Sequence, residues 1–139
     1  MIKENKELLL RDLCARLQYG VKCKVWYNDK TLNIKCTGID FYTNTVNLDI
    51  PEDDNAKVYI DNIKPYLFPL SSMTEEQREE IEDKLIFPSN SNGGWIEILY
   101  NNKYEIPFWF VDFCNKNHLD HRGLIPMGLA IDATNKNIY

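Results

Sequence analysis

Two histidines, an aspartate and an arginine lie together near the end of the sequence, in the stretch NKNHLDHRGLIPMGLAIDA. His118, Asp120 and His121 offer two imidazoles and a carboxylate, which are groups that bind metals and transfer protons. A zinc-hydrolase helix spaces its two histidines four residues apart so that both rings share one face, whereas these are three apart. We therefore interpret the stretch as a helix C-terminus, where polar side chains bond the last carbonyls and Gly123 allows a left-handed turn. A metal-dependent enzyme at these residues is the third of our three hypotheses.

Other catalytic signals are missing from the sequence. There is no glycine-rich phosphate loop, no G-x-S-x-G and no H-E-x-x-H. Cys114 stands four residues before His118, but it lies on a helix face that we expect to be buried, where a thiol is inert. The cysteines form no C-x-x-C pair, which favours reduced thiols over disulfides or zinc; they are Cys14, Cys23, Cys36 and Cys114. The sequence thus predicts no catalytic residue, no metal site, no cofactor and no enzymatic activity.

Length and composition indicate one folded domain, residues 1–139. The chain is 44% hydrophobic and 27% charged, with a net charge of −5. Residues 1–38 carry eight basic against four acidic side chains, and the remainder carries eight against seventeen. An acidic protein is a poor binder of nucleic acid on charge alone, although its basic first third leaves that option open. No apolar run could span a membrane or form a signal-peptide core, so we expect a cytoplasmic protein.

The elements that position these residues follow from hydrophobic periodicity. Residues 1–19 read as an amphipathic helix, whose apolar face is Leu9, Leu10, Leu13, Cys14 and Leu17. Residues 20–70 then alternate with period two, which predicts short antiparallel strands with turns at Asn28-Asp29 and Thr43-Asn44. The fourth of these strands should end before Pro65.

Residues 71–139 predict a helix, a hairpin, a second helix and a docked C-terminal tail. Thr74 and Gln77 form a capping box, and a hairpin should turn at Asn101-Asn102. The segment after Pro107 is apolar nearly all round and should be a buried helix. The apolar tail after Gly123 should close the core, the alternative being a strip that a partner covers. The fold class is therefore α+β, with about three helices packed on a small curled antiparallel sheet, SH3-like or a partly open barrel.

Aromatic side chains interleave with lysines on this sheet. Such surfaces hold peptides or single-stranded nucleic acids, although packing alone also enriches strands in aromatics. The candidate binding residues are Trp26, Tyr42, Tyr59, Tyr66, Lys22, Lys24 and Lys35. The first hypothesis is a non-enzymatic adaptor that contacts a protein partner through the aromatics. The second is a nucleic-acid-associated accessory protein that uses the lysines, with Lys30 among them.

Three strings carry a resemblance: KELLLRDLCARLQYGVKCKV, DNIKPYLFPLSSMTEEQREE and NKNHLDHRGLIPMGLAIDATNKNIY. Together they resemble a family of small uncharacterised proteins encoded by Bacteroides-group gut bacteria and by their phages or integrated elements. The resemblance implies a bacterial cytoplasm and an accessory role for a phage or mobile element, with a host or phage protein as partner. It carries over no catalytic residue.

Overall fold

The structure, a computed structural model, describes residues 1–84 and 108–139. The predicted hairpin at Asn101-Asn102 and the predicted helix start at Pro107 lie outside the described residues. In chain order the elements are α1 (Lys3–Arg16), β1 (Lys22–Tyr27), β2 (Lys30–Asp40), β3 (Thr45–Leu48), β4 (Lys57–Tyr59), β5 (Ile63–Pro69), α2 (Glu75–Glu82), α3 (Phe108–Lys116), β6 (Leu119–Asp120) and β7 (Ile131–Asp132).

The seven strands of the described residues form one curled sheet in the order β4-β3-β2-β1-β5-β6, with β7 also pairing β5. Pairs among β1 to β5 are antiparallel, and β6 and β7 run parallel to β5. β2 pairs β1 up to Lys35 and β3 from Cys36 onward, with a register shift between Cys36 and Gly38. Such an irregularity bends a strand, so one long strand serves both halves of the sheet. The predicted α+β class with an open, curled sheet is confirmed.

The first hairpin turns where the sequence predicts. Tyr27 pairs with Lys30, so the loop consists of Asn28 and Asp29 alone. Both have positive φ, 50° and 62°, as a type I′ turn requires, and these residue types tolerate that region. The turn sets the register of β1 against β2, and hence which side chains share a face.

The prediction that the fourth strand ends before Pro65 is wrong. The segment instead breaks at the 3₁₀ turn Ile60–Asn62, and Pro65 lies inside β5, opposite Cys23 of β1. The parallel neighbours of β5 pair with it only from Tyr66 onward, so Pro65 has a single neighbouring strand. Proline has no backbone N–H to donate, and it is therefore tolerated where a strand has a neighbour on one side only.

Helix α1 packs its leucines on the sheet, but its buried face differs in two residues from the predicted apolar face, which included Cys14 and did not include Arg16. Cys14, expected on the buried face, is exposed. Arg16 is fully buried, together with Asp12 one turn earlier. Leucine spacing predicted the position of the buried face. Asp12 and Arg16 are also buried on α1, because their opposite charges pair with each other.

The other two helices follow their capping and apolar patterns in part. The predicted capping box of α2 is present: Thr74 Oγ1 accepts from Gln77 N at 3.2 Å, and Gln77 Oε1 accepts from Thr74 N at 3.0 Å. Helix α3 buries Phe110 and Phe113, but Phe108 is 91% exposed. The expectation that α3 is a buried helix is therefore wrong for one of its faces, because Phe108, Asp112 and Lys116, each one turn from the next, are all exposed.

The buried side chains form two hydrophobic clusters. The larger lies between α1 and the sheet and contains Leu9, Leu10, Leu13, Val21, Cys23, Val25, Cys36, Val46, Leu48, Ala56, Val58, Ile60, Ile63, Leu67, Leu124, Leu129 and Ala130. The smaller joins α2 and α3 and contains Leu70, Met73, Ile81, Phe110, Phe113, Cys114 and Leu119. Cys23 and Cys36 pack as small hydrophobes, with their Sγ atoms 3.6 Å apart, and both are free thiols, as the sequence predicts.

The tail after Gly123 docks on the sheet, which confirms core closure. Leu124 is fully buried, and Leu129 is 5% exposed. β7 pairs β5 in parallel, and Ala133 N donates to Leu67 O at 2.8 Å. The tail thereby lies beside the segment that follows α3, which contains the two histidines.

Candidate functional site

The segment after α3 uses its polar atoms to shape the chain. Asn117 Nδ2 donates to Phe113 O at 2.9 Å, which satisfies a carbonyl of the last helical turn. His118 takes the left-handed φ of 58°, and Gly123 has φ 74°. The predicted helix end is confirmed, with His118 as the residue that first turns the chain.

Asp120 is the hub of the loop that follows. Its two carboxylate oxygens accept from Leu124 N and Ile125 N, each at 2.9 Å. His121 Nε2 lies 3.0 Å from Asn115 Oδ1. The carboxylate and the imidazole are thus bonded to different neighbours, not aimed at a common point.

His118 faces the tail. Its ring stacks on that of Tyr139 with centroids 3.8 Å apart and planes 11° from parallel. Tyr139 Oη donates to Tyr66 O at 2.8 Å and accepts from Lys22 N at 3.0 Å. His118 therefore helps hold the tail against β1 and β5.

Both imidazoles are held neutral. Burial, and secondly the charge of Arg16, lowers the pKa of His118 to about 4. Burial, followed by the charges of Arg16 and Arg122, lowers the pKa of His121 to about 3. Neither group is a proton donor near pH 7. Burial also raises the pKa of Cys114 to about 12, so the Cys114–His118 pair holds an inert thiol.

A buried charge cluster, which sequence analysis missed, lies behind these histidines. Arg16 Nε donates to Asp12 Oδ2 at 2.8 Å, and both side chains are fully buried. Arg16 Nη2 also donates to Leu119 O at 2.7 Å, tying α1 to β6 across 103 residues of sequence. Arg122 Nε lies 3.3 Å from Asp12 Oδ1, an ionic contact without hydrogen-bond geometry. The spacing of Asp12 and Arg16, one helical turn, was the available signal.

The metal hypothesis gains no support from this arrangement. Within residues 1–84 and 108–139, no three His, Cys, Asp or Glu side chains are grouped as metal ligands would be. Both carboxylate oxygens of Asp120 and Nε2 of His121, which could otherwise bind a metal, are already hydrogen-bonded within the chain.

Five of the seven predicted binding residues lie on one face of the sheet. The register places Lys22 opposite Lys35 and Lys24 opposite Lys64, all pointing away from the core residues that alternate with them. The solvent-side face of β2, β1 and β5 is called the lysine face below; it contains Lys22, Lys24, Trp26, Asn33, Lys35, Lys64 and Tyr66. Sequence analysis missed Lys64, because only the pairing of β5 with β1 brings it there.

Contacts within the lysine face differ from residue to residue. Lys24 Nζ lies 5.3 Å from the centroid of the Trp26 ring, which is 40% exposed. Lys22 Nζ donates to Ile138 O at 2.8 Å. Tyr66 is only 6% exposed and donates to Asn33 Oδ1 at 2.7 Å, so it is packed within the face and is not open to a partner.

Tyr42 and Tyr59 belong to a different surface. Tyr42 is 97% exposed in the β2–β3 turn, beside Phe41 at 52%. Tyr59 pairs with Thr45 at the edge strand β4 and is 63% exposed. We call Phe41, Tyr42 and Tyr59 the aromatic end.

Two clefts accompany these surfaces. One, of about 480 Å³, lies between α1 and the aromatic end and is lined by Lys3, Lys6, Glu7, Leu10, Arg11, Phe41 and Asn44. The other, of about 540 Å³, lies at the first hairpin and is lined by Trp26, Tyr27, Asn28, Asp29, Lys30, Thr31 and Asn62. The first we call the helix cleft and the second the hairpin cleft.

No family model matches the chain, and neither a curated protein nor a solved structure matches it. Among the described helices, none has the length and apolar character to cross a membrane.

Proposed function

We propose that the protein is a non-enzymatic adaptor that docks a partner protein on the aromatic end. The observation that carries the proposal is the exposure of three large aromatic side chains, Phe41, Tyr42 and Tyr59, on one end of a packed sheet. Tyrosine and other aromatics dominate the binding energy of protein interfaces, because they bury much area at little entropic cost. Exposed singly they would need no explanation, but Phe41 and Tyr42 are neighbours in one turn, and Tyr59 pairs with Thr45 just beyond that turn. Phe41 also lines a cleft.

The turn that presents them is held in place. Asp40 Oδ1 accepts from Tyr42 N at 2.9 Å and from Thr43 N at 3.2 Å, and these bonds lower the pKa of the Asp40 carboxyl. Thr43 Oγ1 lies 2.8 Å from Thr45 Oγ1. A turn fixed in this way loses little further entropy on binding, which favours affinity.

The helix cleft beside the aromatic end provides depth and charge. Phe41 forms one wall, and three cations of α1 line the opening against one carboxylate, Glu7. Lys6 Nζ forms an ion pair with Asp61 Oδ2 at 3.7 Å, so the charge of Lys6 is partly compensated. A protein surface with an apolar side chain and nearby carboxylates is complementary to this combination.

As part of the proposal, the adaptor belongs to a phage or mobile element of Bacteroides-group bacteria and acts in the bacterial cytoplasm. The resemblance of the three sequence strings supports that context. The partner is a host or phage protein.

The test is affinity capture of tagged protein from nuclease-treated lysate of a Bacteroides-group host, with quantitative mass spectrometry. We expect a partner captured by the wild type and by Trp26→Ser, and lost with the double variant Tyr42→Ser/Tyr59→Ser. Trp26 is the matched control, since it is an exposed aromatic on another surface. Capture that is identical for all three proteins would overturn the assignment of the aromatic end, and capture that nuclease abolishes would overturn the protein partner.

A further inference from the structure

A second surface, independent of the aromatic end, has the chemistry of a polyanion site. On the lysine face the register brings Lys22 beside Lys35 and Lys24 beside Lys64, four ammonium groups on three adjacent strands. In the described register of β1 with β2 and β5, no carboxylate lies opposite these lysines. On the other side of β2, Asp49 N donates to Lys35 O at 3.0 Å, which puts one exposed acidic residue beside Lys35. Residues in register on neighbouring strands are about 5 Å apart, and alternate residues along a strand about 7 Å apart, so the charges are closely spaced.

These lysines are not neutralised by the rest of the described chain. The ion pairs in that part of the molecule involve Lys6, Arg16 and Arg122, and none of the four. Lys22 bonds a backbone carbonyl and keeps its charge, and Lys24 lies over a ring. Beyond about 8 Å, salt in the cell largely screens the acidic side chains that give the protein its negative net charge.

An aromatic platform adjoins the lysines. Trp26 follows Lys24 on the same face and is also a wall of the hairpin cleft, which is roomy enough for a nucleobase. Asn28, Thr31 and Asn62 line that cleft as well and offer hydrogen-bonding groups to base edges. A stacking ring beside a row of cations is the arrangement with which sheet surfaces hold single-stranded nucleic acid.

We infer that the lysine face binds single-stranded nucleic acid, with phosphates on Lys24, Lys35 and Lys64 and a base stacked on Trp26. A single strand is the occupant because stacking on Trp26 needs an unpaired base, which a duplex does not present. An acidic peptide would satisfy the lysines but would leave the tryptophan without a stacking partner. The protein would thus join a nucleic acid on one surface to a protein on another.

The test is fluorescence anisotropy of fluorescein-labelled (dT)12 and rU12 with the full chain. Three or four phosphate contacts on a single strand predict that affinity falls about 20- to 50-fold between 50 and 200 mM salt. Lys24→Gln/Lys64→Gln should weaken binding about 10- to 60-fold at 50 mM salt. Trp26→Ala should weaken it about 5- to 150-fold, the range found for loss of one stacked base.

The matched control is Lys57→Gln/Lys116→Gln, which removes two exposed positive charges on β4 and α3, away from the lysine face. We expect this control to bind within about twofold of the wild type at 50 mM salt. Unfolding midpoints of all variants are measured alongside, so that a misfolded variant is not read as a binding defect. If Lys24→Gln/Lys64→Gln does not fold, Trp26→Ala and the salt dependence decide in its place.

Four results would overturn the inference: no binding by the wild type at 50 mM salt, equal weakening in the control, binding to a 12-base-pair duplex as tight as to the single strand, or full competition by polyglutamate at equal charge. The last would identify an acidic peptide as the occupant. Because the lysine variants leave the aromatic end unchanged, failure here and failure of the adaptor proposal are separate results.

Discussion

Charged groups occur in two contrasting regions of this protein, the buried cluster of Asp12, Arg16 and Arg122 and the open lysine face. In the buried cluster the carboxylate is shared by two guanidinium groups, and Arg16 also bonds a carbonyl of β6. On the lysine face the charges have no acidic partner among the described residues. Groups that bond one another hold the fold together, whereas groups without partners are available to a ligand.

The same contrast explains the histidine-rich stretch. His118, Asp120 and His121 are the residue types that most often do chemistry, but Asp120 and His121 are hydrogen-bonded within the chain and His118 is stacked on Tyr139 with its Nδ1 buried. Lysines on a strand looked ordinary in sequence, yet their charges are the ones without an acidic partner among the described residues. The distinction lies in which atoms remain free, and residue type alone does not show that.

The largest effect should come from breaking the buried cluster. Asp12→Ala leaves Arg16 buried without its carboxylate, and we expect a loss of about 3–5 kcal/mol in the free energy of unfolding. Urea denaturation measures it. Lys24→Gln/Lys64→Gln on the lysine face should change stability by less than about 0.5 kcal/mol.

An apolar replacement of the pair sharpens this comparison. Asp12→Leu/Arg16→Met removes both charges of the helical pair and should recover most of the stability that Asp12→Ala loses, because no buried guanidinium is left on α1. A loss below about 1 kcal/mol for Asp12→Ala would contradict the structural role that we assign to the cluster.

The second effect is a dependence of stability on pH. Folding lowers the pKa of His118 to about 4 and that of His121 to about 3, against about 6.5 in an unfolded chain. Between these values the unfolded state binds more protons than the folded state, so stability is complete above about pH 6.5 and falls as the pH drops through that window. We expect urea midpoints to decline between pH 6.5 and 5, where most carboxylates stay ionised.

Removing the two imidazoles should flatten that decline. In His118→Phe/His121→Gln the first change keeps a ring against Tyr139, and the second keeps a polar group beside Asn115. If the decline between pH 6.5 and 5 is as steep in this variant as in the wild type, the histidines are not its source.

Local patterns predicted much of the fold, because they depend on neighbours in sequence. Leucine spacing located α1, the capping box located the start of α2, and Asn28-Asp29 located the first turn. Once that turn is fixed, the shared face of Lys22, Lys24 and Lys35 follows from alternation.

Long-range pairing was not predictable in the same way. Lys64 joins Lys24 only because β5 pairs β1, forty residues away in sequence. Arg16 is buried because its guanidinium group donates hydrogen bonds to Asp12 and to the Leu119 carbonyl. Periodicity reports whether a position faces the core, but it carries no information on which distant strand or carbonyl will lie beside it.

The smallest effect concerns Tyr139, which lies where the two regions approach each other. Tyr139→Phe removes the hydroxyl that bonds Tyr66 O and Lys22 N but keeps the ring on His118. We expect a loss of about 1 kcal/mol, or about 3–5 °C in the unfolding midpoint. Tyr42→Phe, on a fully solvated side chain, should cause no shift.

Because Lys22 Nζ keeps its bond to Ile138 O, Tyr139→Phe should leave the affinity for (dT)12 unchanged. If Tyr139→Phe weakens binding to (dT)12 and leaves the unfolding midpoint unchanged, Tyr139 belongs to the lysine face and not to the contacts that stabilise the fold.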